Sequence, residues 1–250
     1  MKLLTRRLLN FALLAIVCAI SSPPAWSTER STYLHITQAH HVLGPLELFA
    51  SKGFSVLKIE KMDCTAYIDA RQKDPNVTLI CARRKTYFET PLSKFEYGLA
   101  TTLNTVSDLD WDPKFWRFFA KTKVNGFTAD EYRYRGTVGT YERIHVAYLA
   151  GKKGETTVKS RVICLQTPQV TKAFCDLLKK LEHNPVLGGI PLKMETAYAI
   201  GRPRNQLSTI KIAVEQHDEM RVPNLKGFSR VSNSSGIFYG HVNVVDLLGN

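Results

Sequence analysis

Apolar and polar positions alternate with a period of two through much of the chain, in short runs bounded by turn residues. Such runs predict strands at Leu46 to Ala50, Phe54 to Lys61, Cys64 to Ala70, Val77 to Ala82 and Lys85 to Glu89. Lys52-Gly53, Asp63, Asp74-Pro75-Asn76 and Arg83-Arg84 separate them, so the set reads as an antiparallel meander. Val56 beside Leu57 and Leu79 beside Ile80 place apolar groups on both faces of its central strands. The polar start from Ser31 to Leu43 is compatible with a helix.

The period changes after Thr90-Pro91, which has the form of an N-cap followed by proline at the first helical position. Leu92, Phe95, Leu99 and Leu103 then share a helical face. Asp112-Pro113 repeats the start signal before Phe115, Trp116, Phe118 and Phe119, which are expected in a short covering helix. A second meander follows through Lys121 to Phe127, Glu131 to Arg135, Arg143 to Leu149 and Val158 to Leu165, with Tyr148 facing Val158 across the Gly151 to Gly154 turn. Thr167-Pro168 opens a helix with Val170, Phe174, Leu177 and Leu181 on one face and Lys179 and Lys180 near its end. Gly188-Gly189 ends the pattern, and strands Ile190 to Ala199 and Gln206 to Glu215 close it. The expected fold class is α+β: a strongly curved antiparallel sheet of about ten strands, a half-barrel, with two or three helices in its concave face.

Residues 1–27 read as a cleavable export signal, with Lys2, Arg6 and Arg7 ahead of an apolar stretch from Leu8 to Ile20 and an Ala25-Trp26-Ser27 cleavage pattern. Residues 28–250 are then a single domain, periplasmic or secreted. The chain carries 34 Lys and Arg against 22 Asp and Glu; three of those cations lie in the signal, which leaves about +9 on the remainder. Most basic clusters, such as Arg83-Arg84-Lys85 and Lys152-Lys153, fall at expected turns and read as solvated charge. Four cysteines outside the signal point to disulfides in an oxidising compartment, and four allow three pairings. The hairpin around Asp74-Pro75-Asn76 sets Ile68 opposite Val77, Ala66 opposite Leu79 and Cys64 opposite Cys81; Cys164 and Cys175 then pair by elimination.

Chemistry is sparse. His35, His40 and His41 fit no metal-ligand spacing, and Asp108, Asp110 and Asp112 are followed by Pro113 and Phe119 where a calcium loop needs glycine and glutamate. No nucleophile elbow or phosphate-cradling glycine loop is present, so neither a catalytic residue nor a cofactor is expected. Tyr132-Arg133-Tyr134-Arg135 interleaves rings and cations, but alternation puts the tyrosines on one face and the arginines on the other, as a half-buried strand requires; no nucleic-acid partner is expected.

The strand led by Gly44-Pro45, the strand Phe54 to Lys61, the strand-turn-strand unit behind it, Lys85-Thr86-Tyr87-Phe88, a capping helix and Gly189-Ile190-Pro191-Leu192 come in an order that resembles the half-barrel superfamily of periplasmic lipoprotein carriers. The resemblance covers roughly Gly44 to Val222. It implies a non-enzymatic protein that holds acyl chains between a curved sheet and its helices, with Phe95, Leu99, Phe115, Trp116 and Phe119 lining the ligand. The expected function is thus an exported monomer that binds a lipid or other apolar small molecule, with a membrane surface as a further contact. The alternative is an envelope interaction module that binds a protein or an anionic polymer through its sheet edge or basic turns.

Overall fold

A computed structural model describes residues 30–95, 113–135, 160–182, 187–196 and 204–238. The chain divides into two units, Met1–Arg30 and Ser31–Asn250, and the described residues beyond Arg30 belong to the second. Its strands are β1 (Arg30–His40), β2 (Gly44–Ala50), β3 (Phe54–Ile59), β4 (Cys64–Asp69), β5 (Asn76–Cys81), β6 (Thr86–Pro91), β7 (Trp116–Val124), β8 (Phe127–Tyr134), β9 (Arg161–Leu165), β10 (Ile190–Thr196), β11 (Arg204–Asp218) and β12 (Ser229–Arg230). Among the described residues the α-helices are α1 (Lys172–Glu182) and the one-turn α2 (Ser235–Phe238). All twelve strands form one sheet in the order β12-β6-β5-β4-β3-β2-β1-β11-β10-β9-β8-β7. β12 runs parallel to β6, so the sheet is mixed, and among the described residues its two end strands do not pair.

This corrects the expected fold class. The molecule is mostly β, an open twelve-stranded mixed sheet, and not an α+β half-barrel of about ten strands lined by several helices. Three local readings account for the difference. The polar start is β1, because Leu34, Ile36 and Gln38 turn inward at period two while His35 and Thr37 alternate with them. The segment after Pro91 is a single 3-10 turn, Leu92–Lys94, and the remainder of that expected helix, Leu99 included, lies outside the described residues. The aromatic run is a 3-10 turn, Pro113–Phe115, feeding β7: the rings fall at three-and-four spacings a helix could also use, but aromatic side chains suit a pleated strand and the run pairs with β8 instead.

The core follows from register. Ile36, Leu48, Leu57, Ala66, Leu79 and Phe88 are successive cross-strand partners, forming an apolar row over six strands. Five of these six residues are fully buried, and Phe88 packs against them. Helix α1 joins the same cluster through Phe174, Leu177, Leu178 and Leu181, at the three-and-four spacing of one helix face. Each such side chain contributes about 1.5–3 kcal/mol by leaving water. The Thr171 hydroxyl accepts from the Phe174 N–H at 3.2 Å and caps the helix, four residues beyond the expected Thr167. Near the other end, the Lys180 ammonium donates to the carbonyls of Leu92 (2.8 Å) and Phe95 (2.7 Å), which pins the 3-10 turn onto α1.

Candidate functional site

β7 ends the sheet, and among the described residues no strand pairs with its outer edge. Its register with β8 runs Trp116 to Tyr134, Arg117 to Arg133 and Phe118 to Tyr132, then shifts so that Ala120 faces Glu131 and Lys121 faces Asp130. Phe119 is the extra residue, and such a bulge bends an edge strand and re-aims its side chains. Trp116 is buried edge-on to Tyr134, with ring centroids 5.3 Å apart. Phe118 and Phe119, by contrast, are 56% and 52% exposed. Phe118 meets Tyr132 edge-on at 6.0 Å, and the Arg133 guanidinium carbon sits 3.1 Å above the Phe119 ring centroid.

Behind this edge the ladder lines up cations. Arg117 faces Arg133, Arg133 faces Arg161 and Arg161 faces Glu195, across β7, β8, β9 and β10. Like charges placed directly opposite destabilise a sheet unless carboxylates intervene. Two do: Arg133 Nε donates to Glu131 Oε1 at 2.9 Å, and Arg161 donates to Glu195, which also pairs with Lys193 at 2.7 Å. The hydrogen bond from Arg161 is the main cause of the Glu195 carboxyl lying below its usual range. Arg117 and Lys123 have no acidic partner among the described residues, whereas Lys121 pairs with Asp130 at 2.9 Å. β7 itself contains no acidic residue.

A second polar cluster lies across β1, β2, β3 and β11. His35 stacks on Phe49 at 4.2 Å, and its ring nitrogens lie 3.0 Å from Glu215 and 3.1 Å from Glu47. His217 reaches the same Glu215 oxygen at 2.9 Å. That hydrogen bond, with those of His35 and the charge of Lys211, holds the Glu215 carboxyl low. Burial alone would raise Glu47, but Lys58, 2.6 Å away, and His35 together hold it below its usual value. An open cleft of about 460 Å³ adjoins this cluster, lined by Thr37, Glu47, Lys58 and Thr65 along one cross-strand row. Among the described residues no group of three or more His, Cys, Asp or Glu side chains is arranged to hold a metal ion.

His40 is instead part of a turn. Its Nδ1 accepts from the N–H groups of Val42 (3.2 Å) and Leu43 (3.1 Å), and burial, helped by the neighbouring His41, pushes its pKa down to about 4. The fold therefore favours neutral His40, while the unfolded chain takes up a proton below about pH 6.5. Stability should be intact above that value, fall as pH drops toward 4 and level off there, with a loss on the order of 2 kcal/mol for a partly exposed ring. His40→Asn keeps an acceptor for the turn and should flatten this segment of the pH profile; His40→Ala should cost about 1–2 kcal/mol at pH 7. Urea unfolding at pH 7, 5.5 and 4 checks both, and an unchanged slope in His40→Asn would contradict them.

The residues expected to line an apolar ligand do not form one wall. Phe95 and Trp116 are buried in the main core and Phe115 packs against it, whereas Phe119 faces outward and Leu99 lies outside the described residues. All four cysteines are buried thiols in the structure. Cys64 and Cys81 are direct cross-strand partners, as are Ala66 with Leu79 and Ile68 with Val77, the register expected from the hairpin. Burial, with the charge of Cys175 on α1 adding to it, pushes the Cys164 thiol on β9 well above its usual value, and burial pushes the Cys175 thiol up to about 11. No helix among the described residues is long and apolar enough to cross a membrane.

The arrangement defines an open-sheet protein with an exposed aromatic and basic edge. No family model matches the chain, and no curated protein does. Among solved structures it is similar to one titled "Structure of PNGF-II in C2 space group", at 10% identity and a TM-score of 0.42 over 84% of this chain. The match spans 33% of that structure's chain, about a third of its length, and carries no argument about activity.

Proposed function

We propose that this protein is an interaction module that binds a partner protein by accepting an extended segment as a further strand on β7. The observation that supports this best is the pair of neighbouring, more than half exposed phenylalanines, Phe118 and Phe119, on the terminal strand of the sheet. Edge strands normally blunt this hazard with charge, bulges or short length; β7 has charge and a bulge but runs for nine residues and keeps both rings in water. Main-chain hydrogen bonds would supply affinity and the two rings specificity. The edge is preferred over the apolar-ligand reading because Phe95 and Trp116 are already consumed by core packing. Within this proposal the chain is exported through residues 1–27, acts without catalysis, and carries Cys64–Cys81 and Cys164–Cys175 as disulfides. Selection from a displayed library of random ten-residue peptides tests it. Enriched peptides should perturb the backbone amide resonances of residues 116–124 and lose most of their affinity to a Phe118→Ser/Phe119→Ser variant of unchanged thermal midpoint. Perturbation confined to other strands, or capture of a fatty-acyl probe with no peptide binding, would overturn the edge reading.

A further inference from the structure

Resting on that edge reading, we infer that the strand β7 accepts is an acidic extended segment, and not a second copy of this chain or a neutral strand. Charge bookkeeping along the edge carries the inference. Strand side chains alternate between faces, and β8 pairs without a bulge of its own, so its partners fix where each β7 residue points. Arg117, opposite Arg133, lies on one face. Phe118, Lys121 and Lys123, opposite Tyr132, Asp130 and Thr128, lie on the other. An incoming strand therefore meets a cation on each face, and no acidic side chain of β7 stands beside them.

The arginine row deepens the bias. Arg133 and Arg161 are satisfied by Glu131 and Glu195, so the positive charge left at the end of the row is that of Arg117, at the strand the partner would touch. Glu131 is buried and already holds Arg133, itself fixed against the Phe119 ring, so this carboxylate is not free to turn outward and neutralise Arg117. Exposed pairs contribute modestly one at a time, but a carboxylate facing Arg117 on one side and one near Lys123 on the other also exclude wrong partners. The same arithmetic rejects self-association. Antiparallel pairing of two β7 strands would set Arg117, Lys121 and Lys123 against an identical cationic set, which is unfavourable for directly opposed charges.

Three extended decapeptides of equal length separate the possibilities: (Glu-Thr)5, (Gln-Thr)5 and (Lys-Thr)5, titrated into the full chain by calorimetry and followed by amide resonances. The acidic peptide should bind at least tenfold more tightly than the neutral one, weaken as salt rises from 50 to 300 mM, and lose threefold to tenfold in affinity to Arg117→Gln. The neutral peptide should be indifferent to Arg117→Gln. Equal binding of the Glu and Gln peptides at the residues 116–124 amides would overturn the acidic class and leave the edge reading standing. Absence of any peptide at those amides would overturn both. Two further outcomes also count against the inference: a dimer in sedimentation that Arg117→Glu strengthens, and polyphosphate binding the arginine row while the β7 amides remain as exchangeable as in the free protein.

Discussion

Phe174→Ala is expected to lower the unfolding free energy by about 3–5 kcal/mol, the largest single-site effect foreseen for this chain. Phe174 is completely buried on the first turn of α1 and belongs to the same cluster as Ile36, Leu48 and Leu57 of the sheet. An eleven-residue helix is marginal in isolation, so α1 owes its existence to the apolar face that Phe174 begins and Leu181 ends. Truncating the ring removes its transfer contribution and leaves a void under a helix whose other large buried side chains are Leu177, Leu178 and Leu181. Release would also withdraw Lys180 from the carbonyls of Leu92 and Phe95. In a chain of this size the thermal midpoint should drop by roughly 10 °C. Phe174→Leu, which keeps most of the volume, should cost under about 1.5 kcal/mol. Urea unfolding of the two variants decides it; a loss below about 1 kcal/mol for the alanine variant would show that α1 does not seal the core.

Much of the sheet was legible because local pairing leaves a local signature. In β2 to β6 each strand is a short apolar or β-branched run and each turn carries its own punctuation, so the hairpin around Asp74-Pro75-Asn76 fixes the Cys64 to Cys81 register from sequence alone. Helix α1 was legible for the same reason, its apolar face being spaced at three and four residues. β1 reads poorly because Tyr33, Leu34 and Ile36 stand among polar neighbours, and its place beside β11 depends on residues 165 to 187 positions away. β7 was missed because its bulge breaks the alternation at Phe118 and Phe119 and merges the rings into one apolar run.

The candidate site was less legible still. Tyr132 to Arg135 correctly signals a half-buried strand, with Tyr134 buried and Arg133 exposed. The arginine row, however, exists only once Arg117, Arg133 and Arg161 are brought into register from three separate strands. No spacing along the chain announces it. For Phe115 to Phe119 the sequence shows which residues are apolar, whereas the function proposed for them depends on which remain in water.

Gly189→Ala should cost about 3 kcal/mol, for a reason opposite to that of Phe174→Ala. Gly188-Gly189 precedes β10, and the first pair of its ladder with β9 is Ile190 with Leu165. A methyl group on Gly189 would fall on the Leu165 carbonyl oxygen and within 2.8 Å of its carbonyl carbon. Those are backbone atoms, so no rotamer change relieves the contact; β9 and β10 must separate where Leu165 and Ile190 are both buried. Gly188 offers an internal control. It has a φ of +89°, and an added methyl meets only the movable Gln166 amide at 3.3 Å. Its alanine variant should therefore lose only the conformational term, about 1–2 kcal/mol. The order of the two glycine variants in urea unfolding is the test, because sterics against backbone and strain in φ predict different rankings. If Gly188→Ala proves the more damaging, the close approach of Gly189 to β9 does not limit this corner of the sheet.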